Sequence, residues 1–379
     1  MFDRSDYDFS DNVNYHYGNF PPTNLSLEKL VPKLLEAQEA ISRYDQMLKM
    51  LPNSELLLAP LRNQEAVISS RMEGTISTVD EVMVYQAEED DEEQPTTNSK
   101  YRSDVIEVAL YSTVLRRAQR AILDGEPINE NLIKNCHKVL LSFGRGAIKS
   151  PGEYKTEQNY IGDERKKKVY FTPVSPLDIQ AAMVALLDYI ETDDTVSLVK
   201  TAVTHVEFEA LHPFNDGNGR IGRLLITLLL WKFGLIHKPH FYMSGYLEEH
   251  KDRYIETMRQ VSLNDDWTTW TEFFLDAIVA QAKGNLQMAT EISALYEKMK
   301  ERFRELTSSQ WALLAQDYIF RTPVFQNGRF TNRAGIPASA AKRISKILVK
   351  NGLLTEVQPA AGRRSAIYMF EPLMEIVRV

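Results

Sequence analysis

His212-Pro213-Phe214-Asn215-Asp216-Gly217-Asn218-Gly219-Arg220-Ile221-Gly222-Arg223 is the stretch that decides how this chain is read. Val199, Ala202, Val203, Val206 and Ala210 run into it at helical spacing, and a strongly apolar helix runs out of it from Ile221. The glycines between them let the backbone take positive φ and come close to a ligand. The N–H groups of Gly217, Asn218 and Gly219 then lie at a helix N-terminus, where unpaired amides and the macrodipole favour a phosphate. Arg220 and Arg223 are three apart on the outgoing helix, so both can reach one polyphosphate. Asp216 offers the hard oxygen that Mg²⁺ takes beside phosphate oxygens. His212 stands just before the loop, and histidine, with an unperturbed pKa of about 6.5, is largely neutral at pH 7 and can accept a hydroxyl proton. Taken singly these are ordinary turn and structural residues. In this order they make an anion cradle, a metal ligand, two cations and a base, the parts phosphoryl-type transfer needs.

Outward from this stretch, the periodicity is mostly helical. Apolar residues recur at helical spacing over residues 26–51, 58–83, 101–123, 129–141, 177–191, 195–211, 221–233 and 248–261. Residues 152–173 break the pattern. They hold few helix formers, with Tyr160, Ile161, Val169, Tyr170 and Phe171 flanking a charged turn at residues 163–168, which predicts a β-hairpin. The acidic run at residues 88–93 and the polar residues 94–99 predict a solvated loop. Near the C-terminus, helices at residues 308–320 and 337–350 precede strands at residues 353–357 and 366–370, with Gly352 closing the second helix. Helix, helix and two-stranded ribbon is the outline of a winged helix.

Composition narrows the classes. With 379 residues, 44% hydrophobic and 25% charged, the chain is long enough for two or three cooperating units of ordinary globular make-up. A net charge of -8 argues against a surface built throughout for nucleic acid. The single cysteine, Cys136, excludes an intramolecular disulfide and a cysteine-rich metal site. The polar, aromatic start does not read as a signal peptide, and residues 224–231 are far too short an apolar run for a membrane span of roughly 20 residues. A cytoplasmic protein without membrane attachment is the simplest expectation.

Residues 212–223 resemble the signature of the Fic family, His-x-Phe-x-Asp/Glu-Gly-Asn-Gly-Arg-x-x-Arg, with every fixed position matched. The resemblance extends over roughly residues 104–276. It implies a mainly α architecture: an N-terminal helical region at 1–100, a Fic body with a β-hairpin flap at 101–290, and a winged-helix-like domain at 291–379. It also implies AMP transfer from Mg·ATP to a Tyr, Thr or Ser hydroxyl of a target protein. His212 would be the base and Asp216 the Mg²⁺ ligand. Asn218 with the loop amides would grip the α- and β-phosphates, while Arg220 and Arg223 hold the rest of the polyphosphate. Phe214 would anchor the loop, and residues around Tyr246 and Glu249 would contact the base of the nucleotide. The Doc-like, phosphorylating branch carries a lysine where this chain has Gly219, which favours nucleotidyl transfer here. In such proteins the flap holds the target by strand addition, and residues 152–173 resemble that flap.

Ser69-Ser70-Arg71-Met72-Glu73-Gly74 resembles the family's inhibitory motif, Ser/Thr-x-x-x-Glu-Gly/Asn. Four residues apart, Ser69 and Glu73 are expected on one helix face, with Ile68, Met72 and Ile76 toward the body. A carboxylate presented to the phosphate site would pair with Arg223 and displace the γ-phosphate. The same glutamate is also compatible with removal of AMP from a modified target. A competing reading starts from Lys342, Arg343, Lys346, Lys350, Arg363 and Arg364, a basic cluster in an acidic chain. On a winged helix it would meet DNA phosphates, making the protein a DNA-binding regulator whose Fic body senses nucleotide. Retention of His212 and both arginines favours the enzyme. Self-modification and a homodimer complete the partner expectations.

Overall fold

The computed structural model describes residues 6–51, 53–89, 101–362 and 364–378, without the side chains of residues 55 and 56. Most of the acidic run, the polar residues after it, and Arg363 lie outside the described residues. The chain runs through a short strand β1 (Val13–Asn14) and helices α1 (Leu27–Met50), α2 (Ser54–Met72), α3 (Val79–Glu88), α4 (Ser103–Leu123) and α5 (Glu130–Leu140). The hairpin β2 (Ile161–Asp163) and β3 (Lys168–Thr172) follows. Next come α6 (Ile179–Thr192), α7 (Ser197–Leu211), α8 (Asn218–Lys232), α9 (Ser244–Glu249), α10 (Lys251–Asn264) and the long α11 (Trp267–Thr307). The chain closes with α12 (Ala312–Arg321), β4 (Val324–Gln326), α13 (Asn327–Arg333), α14 (Ala338–Lys350), β5 (Thr355–Gln358), β6 (Ile367–Met369) and α15 (Glu371–Val377).

These elements gather into two compact units, residues 1–42 with 114–282 and residues 43–113 with 283–379. In the first unit α7 is the central rod, buried on every side because Val199, Ala202, Val203, Val206 and Phe208 are spread around its circumference. It packs on α6, α8 and α10. Trp267, Trp270, Phe273 and Phe274 of α11 are fully buried, each large apolar side chain contributing about 1.5–3 kcal/mol. Trp270 Nε1–H donates to the Ala202 carbonyl at 2.8 Å, so its one polar atom is satisfied.

The hairpin acquires a third strand that the sequence does not announce. Residues 13–14 pair in parallel with residues 171–172, giving the order β1-β3-β2. Asp8 extends the pairing by exchanging backbone hydrogen bonds with Lys167 and Val169. The hairpin strands begin only at Ile161. Residues 152–160 are irregular, and Lys155 and Asn159 among them bond to the carbonyls of Leu211 and His212 instead.

In the second unit, the helix expected over residues 58–83 is two helices. Gly74 at φ +94° reverses the chain after Met72, and Thr78 starts α3 with a capping box to Glu81. Glu73 therefore sits in the closing turn, its N–H on the Ser70 carbonyl at 3.0 Å. Ile68 and Met72 face inward as expected, but Ile76, beyond the turn, is 73% exposed. The C-terminal strands form a three-stranded antiparallel sheet, β4-β6-β5, flanked by α12 to α15.

Candidate active site

α7 ends at Leu211 because His212 takes a left-handed backbone, φ 45° and ψ 60°, as its C-cap. A non-glycine residue held there costs about 1–3 kcal/mol, and such strain persists only where neighbours enforce it. The neighbours are visible. Lys155 Nζ donates to the Leu211 carbonyl at 2.9 Å and Lys155 N–H to the Pro213 carbonyl at 2.8 Å. Asn159 Nδ2 donates to the His212 and Phe214 carbonyls, each at 3.0 Å.

The loop is closed from inside by Asn218. Its Oδ1 accepts from Phe214 N–H and its Nδ2 donates to the Phe214 carbonyl, both at 2.8 Å, in a fully buried setting. The Asn218 side chain is thus spent on loop shape, and what it can offer a phosphate is its backbone N–H at the start of α8. His137 braces the loop from below. Its ring stacks on Phe214 at 3.8 Å and 9°, and its Nδ1 accepts from Gly152 N–H at 2.8 Å. The Asp216 carbonyl, 2.9 Å from Nε2, can only accept, so Nε2 carries the proton. Burial pulls His137 down to about 4, which keeps this neutral tautomer.

Gly217, at φ +77°, is the N-cap of α8, and the loop exit leaves the first amides of that helix unused by the helix itself. Arg220 and Arg223 lie in its first two turns, 2% and 4% exposed. Arg220 Nη2 stands 3.9 Å from Asp216 Oδ1, and Asp216 also accepts from Gly217 N–H at 2.7 Å. His212 is half-buried at the other lip of the loop. His212, the N-terminus of α8, Asp216 with Arg220 beside it, and the buried Arg223 one turn further on thus fall within twelve residues.

α7 itself is tied down by residues that the sequence left unmarked. Glu207, buried five positions before His212, accepts from the Tyr15 hydroxyl at 2.7 Å and pairs with His16 Nε2 at 2.8 Å. His205 Nδ1 donates to the Gly222 carbonyl at 3.1 Å and Nε2 accepts from the Tyr254 hydroxyl at 2.8 Å, joining α7, α8 and α10. No local spacing flags Lys155, Asn159, His137, Tyr15 or His16, because the bonds that tie Asn159 to His212, His137 to Asp216 and Tyr15 to Glu207 span 53, 79 and 192 positions.

Tyr246 and Glu249 lie on α9. The Tyr246 ring stacks on His250 at 4.0 Å and touches Phe273, while Glu249 is exposed. Their described contacts do not reach residues 212–223. Ser69 is fully buried on α2 and Glu73 is exposed in the turn after it, both in the second unit.

Residues 31–120 match the profile of the Fic/DOC family N-terminal region, and residues 127–230 that of the Fic/DOC family, about half of the chain together. The chain belongs to the Fic/DOC family. The family region ends at residue 230, so it contains the whole loop. Protein adenylyltransferase fic-1 of Caenorhabditis elegans is 33% identical over 114 residues, 29% of this chain and 21% of that protein. Protein adenylyltransferase Fic of Nematostella vectensis is 24% identical over 203 residues, 52% of this chain and 41% of that protein. This chain thus spans less than half the length of these relatives. A Fic family protein from Desulfovibrio desulfuricans G20 superposes with a TM-score of 0.56 at 18% identity, over 92% of this chain and 98% of that one. Residues 134–508 of Fic-1 from C. elegans give 0.52 at 18% identity, over 73% and 80%. At these identities the shared property is the fold.

Proposed function

We propose that this Fic/DOC protein is a protein adenylyltransferase that moves AMP from ATP to a Tyr, Thr or Ser hydroxyl, restrained by Glu73. The observation that supports the reading is the strained turn that sets His212 at the end of α7 directly before the α8 N-terminus, with Arg220 beside Asp216 in the first turn of that helix. Guanidinium groups match phosphate oxygens bidentately, and Arg220 and Arg223 follow the loop by two and five residues beyond Asn218. His212 takes the proton of the target hydroxyl as its oxygen bonds to the α-phosphorus. The bond from that phosphorus to the bridging oxygen breaks, and pyrophosphate leaves with both electrons. The backbone amides of Asn218 and Gly219 stabilise charge on the phosphates without reorganising.

Among the described residues no group of three His, Cys, Asp or Glu side chains could enclose a metal ion. Mg²⁺ does not need such a group, since it keeps several waters and is commonly held by one or two carboxylates plus substrate phosphates. Asp216 is the carboxylate that would hold it; bound there, the ion would neutralise phosphate charge.

The target segment would add to β2. The far edge of β3 is covered by residues 8–15 of the same chain, whereas β2 is the edge continuous with Asn159, which grips the His212 loop. The domain roles follow: residues 1–100 carry the brake, 101–290 the chemistry, and 291–379 a winged-helix-like module. One observation favours a second role for that module. Lys342, Arg343, Lys346 and Lys350 are all exposed on α14, opposite the buried Ala341, Ile344 and Leu348, as a phosphate-facing helix requires. Salt-dependent retention on duplex DNA tests that role.

The deciding experiment is intact-mass spectrometry after incubation with Mg·ATP, using self-modification as the target. Wild type, Glu73→Gly and Glu73→Gly/His212→Ala are compared. A gain of one AMP in the Glu73 variant, absent from the other two, is expected. A gain of phosphate would make the protein a kinase, and equal gains in wild type and Glu73→Gly would remove the brake. AMP-modified Glu73→Gly protein, freed of ATP and mixed with wild type and Mg²⁺, would lose AMP to water if the wild-type chain also removes the group.

A further inference from the structure

We infer that Lys155 and Asn159 are positioning residues that splint the catalytic loop to the flap and hold His212 in its reactive geometry, an inference that rests on the adenylyltransferase reading above. Four consecutive carbonyls, from Leu211 to Phe214, emerge where α7 ends, and an ending helix leaves such groups without intrahelical partners. Every one is taken by these two residues. Lys155 uses its side chain on Leu211 and its backbone on Pro213; Asn159 spans His212 and Phe214 with one amide nitrogen. Lys155 Nζ also donates to Asn159 Oδ1 at 2.9 Å, which fixes which way that amide faces.

Lys155 is an unusual choice for this task. It is 2% exposed, and its described acceptors, a carbonyl and an amide oxygen, are both neutral. Burial holds its ammonium down to about 7. A buried cation with neutral partners is a poor way to gain stability. What it provides is a directed, charge-assisted hydrogen bond to the carbonyl immediately before His212. The splint also has a second end. Residue 159 precedes β2 by two positions, so whatever pairs with β2 bears on the same residues that set the φ of His212. Docking of a target strand and placement of the base are mechanically one event.

The test uses the full chain in the Glu73→Gly background, with Lys155→Met, Lys155→Arg and Asn159→Asp added singly. AMP transfer at saturating ATP, the Kd for ATP, and hydrogen exchange over residues 211–218 are measured. A misplacement of the base by about 1 Å lowers the rate about 100-fold. Lys155→Met and Asn159→Asp are expected to lower the maximal rate by about that factor, with ATP affinity within about twofold. Lys155→Arg, which keeps a charged donor, is expected to recover most of the rate. Rates within twofold of the background in both deletions would overturn the inference. So would a loss of ATP affinity in proportion to the rate, or an Arg variant as slow as the Met variant, since either marks a general structural role. A background with no AMP transfer would sink the adenylyltransferase reading instead. Exchange then decides alone: faster exchange confined to residues 211–218 in Lys155→Met supports the splint, and unchanged exchange removes it.

Discussion

At the scale of single residues the site depends on backbone conformations that side chains ordinarily avoid. His212 and Gly217 both lie in the left-handed region, one at each end of the loop. His212→Ala keeps the fold but removes the proton acceptor, so AMP transfer in the Glu73→Gly background should fall to the blank. ATP affinity, measured by calorimetry, should change little. Gly217→Ala acts differently. A Cβ there would sit 3.1 Å from Leu140 Cδ2 on a backbone at φ +77°, at a cost of about 1–2 kcal/mol. Urea unfolding should register that loss, and ATP affinity should weaken because the α8 amides move. His205 links the site to pH. Burial pulls it down to about 3, while the unfolded chain binds its proton near pH 6.5. The unfolded state therefore holds the extra proton between those values, and the stabilisation present above pH 6.5 is lost as pH falls. Between pH 6.5 and 5 the loss is at most about 2 kcal/mol from this group. Urea titrations of wild type and His205→Gln at pH 7.5 and 5.0 should show a smaller acid loss in the variant.

At the scale of elements, what the sequence discloses is what lies close in the chain. The loop between α7 and α8 was legible because base, glycines and arginines fall within twelve residues, and most helices appear within a few positions of where periodicity puts them. The misses have physical causes. Helical spacing continues through residues 58–83, and a single positive-φ glycine overrides it, so Glu73 leaves the helix and Ile76 faces solvent. β1, β4 and α13, of 2, 3 and 7 residues, are too short for periodicity to mark, whereas α11, absent from the expectations, does carry helical spacing at Trp267, Trp270, Phe274, Ala277 and Ile278. The hairpin was legible, but its third strand was not, since 157 positions separate Asn14 from Phe171 along the chain by numbering alone. Gly162 is where the hairpin can be tested. A Cβ at that position would stand 2.0 Å from the Lys168 carbonyl oxygen, a backbone atom that cannot swing away. Gly162→Val should therefore open the hairpin. Self-modification in the Glu73→Gly background is expected to drop more than tenfold, with ATP affinity held within about twofold. Unchanged modification would mean the target does not dock on β2.

At the scale of the whole molecule, the C-terminal stretch is a structural partner of the segment that carries Glu73, the brake proposed above. α12 and α15 pack on α2, and β4 packs on α3. Arg329 donates to the Gln86 carbonyl at 3.0 Å and to the Glu89 carbonyl, meeting the C-terminal end of α3 where a cation is favoured. Arg378 forks onto Asp80 at 2.9–3.1 Å, and Arg364 pairs with Glu88 at 2.9 Å. The Arg364 pairing also bears on the basic cluster read from sequence: one of its cations already has an acidic partner in the same unit, so a polyanion would have to compete for it. Exposed pairs of this kind contribute only about 0–1 kcal/mol each. The larger share comes from apolar burial on α2 and α3, including Leu57, Leu58, Leu61, Val82 and Met83. Removing residues 308–379 strips that cover while leaving the 212–223 loop and its supports in the first unit. Helices α2 and α3 should then lose protection in hydrogen exchange, and Glu73 should no longer be presented. AMP transfer by the shortened chain is expected to rise to the level of full-length Glu73→Gly, with no further gain when Glu73→Gly is added. A shortened chain that binds ATP normally yet stays as quiet as wild type would mean that the brake stands without its C-terminal partner.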